Sequence, residues 1–287
     1  MPSLTGLSGL SGISVCSAGA GGGGSLYDPA DDPNLAFWYE ADTYTTNTTP
    51  MGATYYIPRN KVNSSDDQIM IGTIEETHYV NRVTQDGVPC FHYRLQGTKT
   101  VQQYTFDDLD IHMVFKPSGT SGFTARIIDC DYGNGFWIGQ GNGATLYGGG
   151  VRYGAGPYGD YASTAAWSGA GAATGACWTL LQRSRVTTQG TIRLFGSDTY
   201  AGGNGTTGIG NAATTAINPL ALGSEIGGNS AYDNIKIAAV LIFRNYSVAD
   251  RNKREGWLAH HFEAVSAGMK SLLLDPSHPY FAAPPPA

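Results

Sequence analysis

Between Asn34 and Phe243 the chain breaks into short apolar runs, and this spacing constrains the fold more than any other feature. The runs fall at 35–42, 54–57, 90–95, 109–115, 124–128, 135–139, 178–183, 191–195, 219–222 and 235–243. Most are bounded by Gly, Asn, Asp, Pro or Ser, the pattern of an all-β protein with frequent turns. Ile111, Met113 and Phe115 alternate with His112 and Val114, which predicts a strand with one buried face. One segment alone reads as a helix, over 248–266. Ser247 and Asp250 have the spacing of a capping box, and Trp257, Leu258, His261, Phe262 and Val265 share a face at helical spacing. Gly268 can supply a left-handed stop. Arg251, Lys253 and Arg254 read as the solvated side of that helix.

The composition supports a β-rich, weakly charged chain. Lys and Arg number 17 against 23 Asp and Glu, a net charge of −6, and charged residues are only 14% of the sequence. Soluble domains commonly carry about 25%. Gly, at 40 residues, is about twice its usual share of ~7%. A helical bundle, a coiled coil and a charged disordered chain are excluded on these grounds. No basic run offers a footprint for nucleic acid. No apolar run approaches the ~18 residues that insertion into a membrane would need.

Residues 1–31 differ from the rest. Leu4, Leu7, Leu10 and Ile13 stand between small residues at a spacing of three, ahead of the run Gly21–Gly24. Such a segment cannot bury a core and reads as an extended, Gly/Ser-rich attachment arm. It lacks the basic and apolar regions of a signal peptide. Residues 32–287 then form one domain, ending in the helix and a Pro-rich tail. Within it, 141–176 are rich in Gly, Ala and Tyr and read as long loops. Cys16, Cys90, Cys130 and Cys177 are far apart, without a C-x-x-C pair. They read as mostly reduced, buried thiols of a protein assembled in a reducing cytoplasm.

The two ends of the domain carry a family likeness. Ile237–Phe243, then Asn245-Tyr-Ser-Val-Ala-Asp-Arg251, Glu255-Gly-Trp-Leu-Ala-His-His-Phe262 and Asp275-Pro-Ser-His-Pro-Tyr280 together resemble the close of concanavalin A-like (laminin-G-like) jelly-roll modules. Asp32-Pro-Asn-Leu-Ala-Phe-Trp-Tyr-Glu-Ala-Asp42 resembles their opening strand, and Gly87-Val-Pro-Cys-Phe-His-Tyr93 a later one. The resemblance implies an all-β sandwich of two antiparallel sheets with one C-terminal helix and an extended N-terminal arm. It also implies a setting, because such modules are frequent in phage and bacterial surface proteins. The family's usual stretch after the first strand has no counterpart across Thr43–Asp67, so no ligand specificity comes with it.

Chemistry-bearing residues are sparse. Glycoside hydrolysis needs two carboxyl groups facing each other across a cleft, and the nearest acidic groups, Glu75-Glu76 and Asp107-Asp108-x-Asp110, read as solvated strand ends. No nucleophile elbow is present. His260 reads as exposed, His261 as a core or interface residue, and His278 as an anchor for the tail. Asp129, Asp131 and Asn134 are the candidate calcium ligands, being hard oxygens close together near a turn; no other cofactor is expected. Tyr147, Tyr153, Tyr158, Tyr161 and Trp167 could stack on a glycan or fill a protein interface.

The expectation from sequence is therefore a non-enzymatic structural protein of a tailed-phage virion, a capsid decoration or a tail or fibre component, assembled in the host cytoplasm. Its arm would hold it to other virion proteins, copies of the chain would associate as a homo-oligomer, and the lectin-like domain would be displayed. A carbohydrate-binding module for adhesion to host surface glycans is the first alternative, and a glycan hydrolase the weakest.

Overall fold

A computed structural model describes residues 25–48, 52–71, 79–104, 109–116, 125–129, 136–140, 150–153, 178–186, 189–202, 219–224 and 233–287. Over the first half these contain strands β1 (Leu35–Thr48), β2 (Thr54–Asn60), β3 (Gln68–Met70), β4 (Tyr79–Gln85), β5 (Val88–Arg94), β6 (Thr98–Thr100) and β7 (Leu109–Lys116). Next come β8 (Ala125–Asp129), β9 (Phe136–Gln140), β10 (Gly150–Tyr153), β11 (Thr179–Val186), β12 (Gln189–Leu194), β13 (Ser197–Gly202), β14 (Ala221–Leu222) and β15 (Asp233–Phe243). Helices α1 (Val248–Val265) and α2 (Met269–Leu273) follow. The architecture is all-β, two antiparallel sheets with one main C-terminal helix, as the sequence predicts.

The larger sheet runs β13-β12-β11-β7-β15-β1-β2, and β5, with β4 beside it, joins β15 on the same side as β1. The smaller runs β10-β9-β8-β14-β6-β3. Two of the hairpins turn tightly at residues with positive φ: Asp86-Gly87 between β4 and β5, and Phe195-Gly196 between β12 and β13. Positive φ at both central residues matches the right-handed twist of the flanking strands.

Two apolar layers hold the structure together. Between the sheets lie Phe37, Tyr39, Phe91, Tyr93, Ile111, Met113, Phe115, Ile128, Leu222, Val240 and Ile242. On the other side of the larger sheet, Val114, Trp178, Leu180, Leu241 and Phe243 pack against Leu258, Ala259, Phe262, Met269 and Leu273 of the two helices. β7 is therefore buried on both faces, His112 and Val114 included, where its alternation predicts only one. The reason is its central position, with a sheet below and a helix above. In β15 a register shift between Ile237 and Ala239 changes which residues face inward, so Ile235 and Ile237 are followed by Val240 and Ile242. A bulge inserts one residue and resets the alternation.

Helix α1 starts where the sequence predicts. The Ser247 Oγ accepts from the Asp250 N–H at 3.0 Å and donates to the Asp250 carboxylate at 2.7 Å. Gly268 takes φ +91° at the entry to α2, three residues beyond the end of α1. The buried side of α1 is Arg251, Arg254, Glu255, Leu258, Ala259 and Phe262. Trp257 and His261 lie half-buried at its margin, and Val265 is exposed. Arg251 and Arg254 thus do not form a solvated face: Arg254 turns inward to Asp110 and Asp32, and Arg251 is covered beside Tyr246 and Asn252.

Candidate functional site

Among the residues singled out from sequence, Leu4, Leu7, Leu10, Ile13, Asp131, Asn134, Tyr147, Tyr158, Tyr161 and Trp167 lie outside the described residues. Asp129 closes β8, in register with Ala221 and Trp137. Tyr153 closes β10, in register with Phe136. Among the described residues no group of three or more His, Cys, Asp and Glu could hold a metal ion.

The structure assembles two charged clusters, both against α1. The first is buried. Asp110, a solvated strand end by sequence, is fully enclosed. Its Oδ2 receives Nη1 of Arg254 at 2.8 Å and Nε2 of His112 at 2.8 Å, and its Oδ1 receives the Gln182 amide at 2.6 Å. Burial alone would raise the Asp110 carboxyl; the charges of His112 and Arg254 and the bonds from His112 and Gln182 outweigh it and hold the group below its usual range. Arg254 also reaches Asp32 Oδ2 and Asn245 Oδ1, each at 2.8 Å, and its guanidinium lies 3.7 Å from the Phe243 ring centroid. Further along, Glu255 meets Nε2 of His278 at 3.2 Å, with Arg193 3.6 Å away. That contact buries His278 and docks the tail, which the Asp275 N–H secures on the Phe195 carbonyl.

The second cluster reaches the surface. Along β1, Trp38, Glu40 and Asp42 alternate with the core residues Phe37, Tyr39 and Ala41, so they share the outer face. Glu40 accepts from the Trp38 indole at 3.0 Å, from Nζ of Lys61 at 2.6 Å and from Nε2 of His261 at 2.6 Å. Although burial would raise it, these partners lower the Glu40 carboxyl to about 2. Lys61 also donates to Asp42 at 2.8 Å and sits 4.5 Å from the Trp38 ring centroid. Trp257 meets Trp38 edge to face at 5.5 Å and stacks on His261 at 4.7 Å. Here the Asp42 side chain is 57% exposed and that of Lys61 21%, and both indoles are half-buried. The alternation of Trp38, Glu40 and Asp42 was a sequence signal for a shared face. Lys61, the residue just after β2, gave none, because only the pairing of β2 with β1 brings it across.

No family model and no curated protein matches the chain. Among solved structures, domain 4 of AbnA, an extracellular GH43 arabinanase of Geobacillus stearothermophilus seen with arabinotriose, is similar at 13% identity with a TM-score of 0.51. That likeness covers 76% of this chain and 96% of the arabinanase domain. Trypanosoma rangeli sialidase follows at 10% identity and TM-score 0.47, covering 77% of this chain and 32% of the sialidase. The botulinum neurotoxin serotype D/C binding domain is also similar at 10% identity and TM-score 0.49, over 82% of this chain and 53% of that one. What the arabinanase likeness shows is fold: the chain is a jelly-roll β-sandwich of the architecture that this domain has.

Proposed function

We propose that the chain is a non-catalytic structural protein of a tailed-phage virion, held to the particle by its N-terminal segment and presenting its β-sandwich to host-surface glycans. The observation that carries this reading is the joint at the base of that segment. The Tyr27 N–H donates to the Pro285 carbonyl at 3.0 Å and the Ala287 N–H to the Ser25 carbonyl at 2.8 Å, with Leu26 bridging Pro286. The Tyr27 hydroxyl then contacts Asp32 at 3.3 Å, and Asp32 is held by the buried Arg254, itself bonded to Asp110 of central strand β7. Segment ends of a domain commonly fray; this one is tied through a buried ion network into the middle of the larger sheet, as a tether under tension requires.

The non-catalytic part of the reading is supported by how the buried carboxylates are used. Glu40, Asp110 and Glu255 are each engaged by His, Lys or Arg, whereas glycoside hydrolysis uses two carboxyl groups open to a substrate. The glycan part is supported by the fold shared with an arabinanase domain seen with arabinotriose. Assembly in the host cytoplasm agrees with Cys90, a free and buried thiol. The Gly/Tyr-rich stretch over 141–168 is assigned to contacts between copies of the chain or with other virion proteins.

The test compares the full chain with one lacking residues 1–24 during particle assembly. Purified particles should carry the full chain and lose the shortened one, while the isolated shortened protein keeps its melting temperature. Loading of the shortened chain at wild-type occupancy, or absence of the full chain from particles, would overturn the reading.

A further inference from the structure

We infer that the surface cluster of Trp38, Trp257, Asp42 and Lys61 is a binding site for a neutral glycan unit, an inference that rests on reading the β-sandwich as a glycan-recognising domain. The site lies on the outer face of β1 beside α1, apart from the Tyr-rich stretch that the sequence offers for this role. A sugar ring presents an apolar C–H face and a rim of hydroxyls, so its site needs flat apolar surface beside fixed donors and acceptors.

Each requirement is met by a named group. Trp38 and Trp257, 5.5 Å apart and edge to face, supply the apolar surface and keep part of it in solvent. Trp257 is backed by the parallel His261 ring, which fixes its plane. Lys61 carries three N–H donors, two of which are drawn to Glu40 and Asp42 at 2.6 and 2.8 Å. The ammonium also lies over the Trp38 ring, 4.5 Å from its centroid, so the third N–H faces the indole, where a sugar hydroxyl can compete for it on a flexible side chain already held in place. Asp42 accepts from Lys61 and from the Thr43 hydroxyl at 2.9 Å, with lone pairs to spare for sugar hydroxyls. Pre-ordering of this kind removes entropy that a ligand would otherwise have to offset.

Charge selects the class of glycan. Glu40 and Asp42 share the one ammonium of Lys61, and the exposed carboxylate is Asp42. The nearby Arg82 is turned to the Ala41 carbonyl at 2.6 Å and lies over the Tyr44 ring. An acidic sugar would therefore meet an exposed carboxylate, while a neutral one meets a donor, an acceptor and an aromatic surface.

The full chain is tested on an array of neutral oligosaccharides, including arabino-, xylo-, gluco- and galacto-oligosaccharides, alongside sialylated and sulfated ones. Hits are titrated by tryptophan fluorescence. We expect binding confined to neutral glycans, weakened at least tenfold by Asp42→Ala and by Trp257→Ala. Asp42→Ala should leave the melting temperature unchanged, and it keeps the test valid if Trp257→Ala folds poorly. No binding to any array member, a preference for acidic glycans, or full binding by both variants would overturn the proposal. So would a change of oligomeric state in Asp42→Ala, which would mark the cluster as a protein contact. These outcomes are independent of particle loading: a chain on virions that binds only acidic glycans refutes this site alone, one that binds no glycan refutes both this site and the glycan part of the reading, and a glycan-binding chain absent from virions refutes the virion attachment alone.

Discussion

Replacing Arg254 with Met removes the one cation that Asp110 and Asp32 share. The Arg254 side chain is fully buried and its two terminal nitrogens make four contacts: Asp110, Asp32, and the Asn245 carbonyl and side chain, all between 2.8 and 3.2 Å. Met fills similar space against Phe243 but leaves Asp110 enclosed with only His112 and Gln182. Breaking a buried ion pair from one side costs about 3–5 kcal/mol, because the remaining charge has lost its partner without regaining water. For a domain of this size that corresponds to roughly 6–20 °C in melting temperature. Circular dichroism during heating and urea titration measures it. Adding Asp110→Leu to the same chain should recover at least half of the loss, since an apolar pair can replace a buried ionic one. Because the folded Asp110 carboxyl lies below its ordinary value of 3.8, the network's contribution is complete above that value. It is lost as pH falls through the folded value, so the gap between wild type and Arg254→Met should close in acid. A loss under about 1 kcal/mol at neutral pH, or no recovery in the double variant, would refute this account of the network.

Three further outcomes follow from particular contacts. Glu40→Gln should cost roughly 3 kcal/mol at neutral pH, and since the Glu40 carboxyl sits at about 2 against an ordinary 4.5, the difference should shrink as pH falls from 5 to 2; a constant difference in melting temperature across that range would contradict it. Gly196→Ala should destabilise by about 2–5 kcal/mol, because its φ is +62° and a Cβ there would come within 2.6 Å of Leu274 and 2.8 Å of His278; an urea midpoint equal to wild type would show that the tail does not pack on this turn. Cys90, enclosed and with its thiol pushed up to about 12 by burial, should stay unmodified by a maleimide in the native protein and react after unfolding, as read by peptide mass mapping; rapid native labelling would place it nearer the surface than the structure does.

Much of the fold could be read from local pattern, and its limits were local too. Strands such as β7 and β15 announced themselves because their apolar residues follow one another at strand spacing, and α1 because Ser247, the apolar stripe and Gly268 punctuate a 3.6-residue period. β3 and β6 are three residues each, too short to establish any period, and β4 interleaves Asn81, Arg82, Thr84 and Gln85 with its apolar positions. These became strands because a neighbouring strand supplied the backbone partners.

The candidate sites divide along the same line. That Trp38, Glu40 and Asp42 share a face, and that Trp257 and His261 do, follows from the periods of strand and helix alone. That the two faces meet, with Lys61 between them, depends on α1 folding back over β1. Arg254 and Asp110 make the point most sharply. By sequence a basic helix residue and an acidic strand end both belong in water, since an isolated charge loses hydration on burial. Only the tertiary structure, by delivering each to the other, Arg254 to Asp32 as well and Asp110 to Gln182 beside its strand neighbour His112, makes the interior a place where they can stay ionised. Sequence determined the elements, because their causes act within a few residues; the structure decided the charged clusters, because the decisive ion pairs join different elements, Arg254 to Asp110 across 144 residues and to Asp32 across 222.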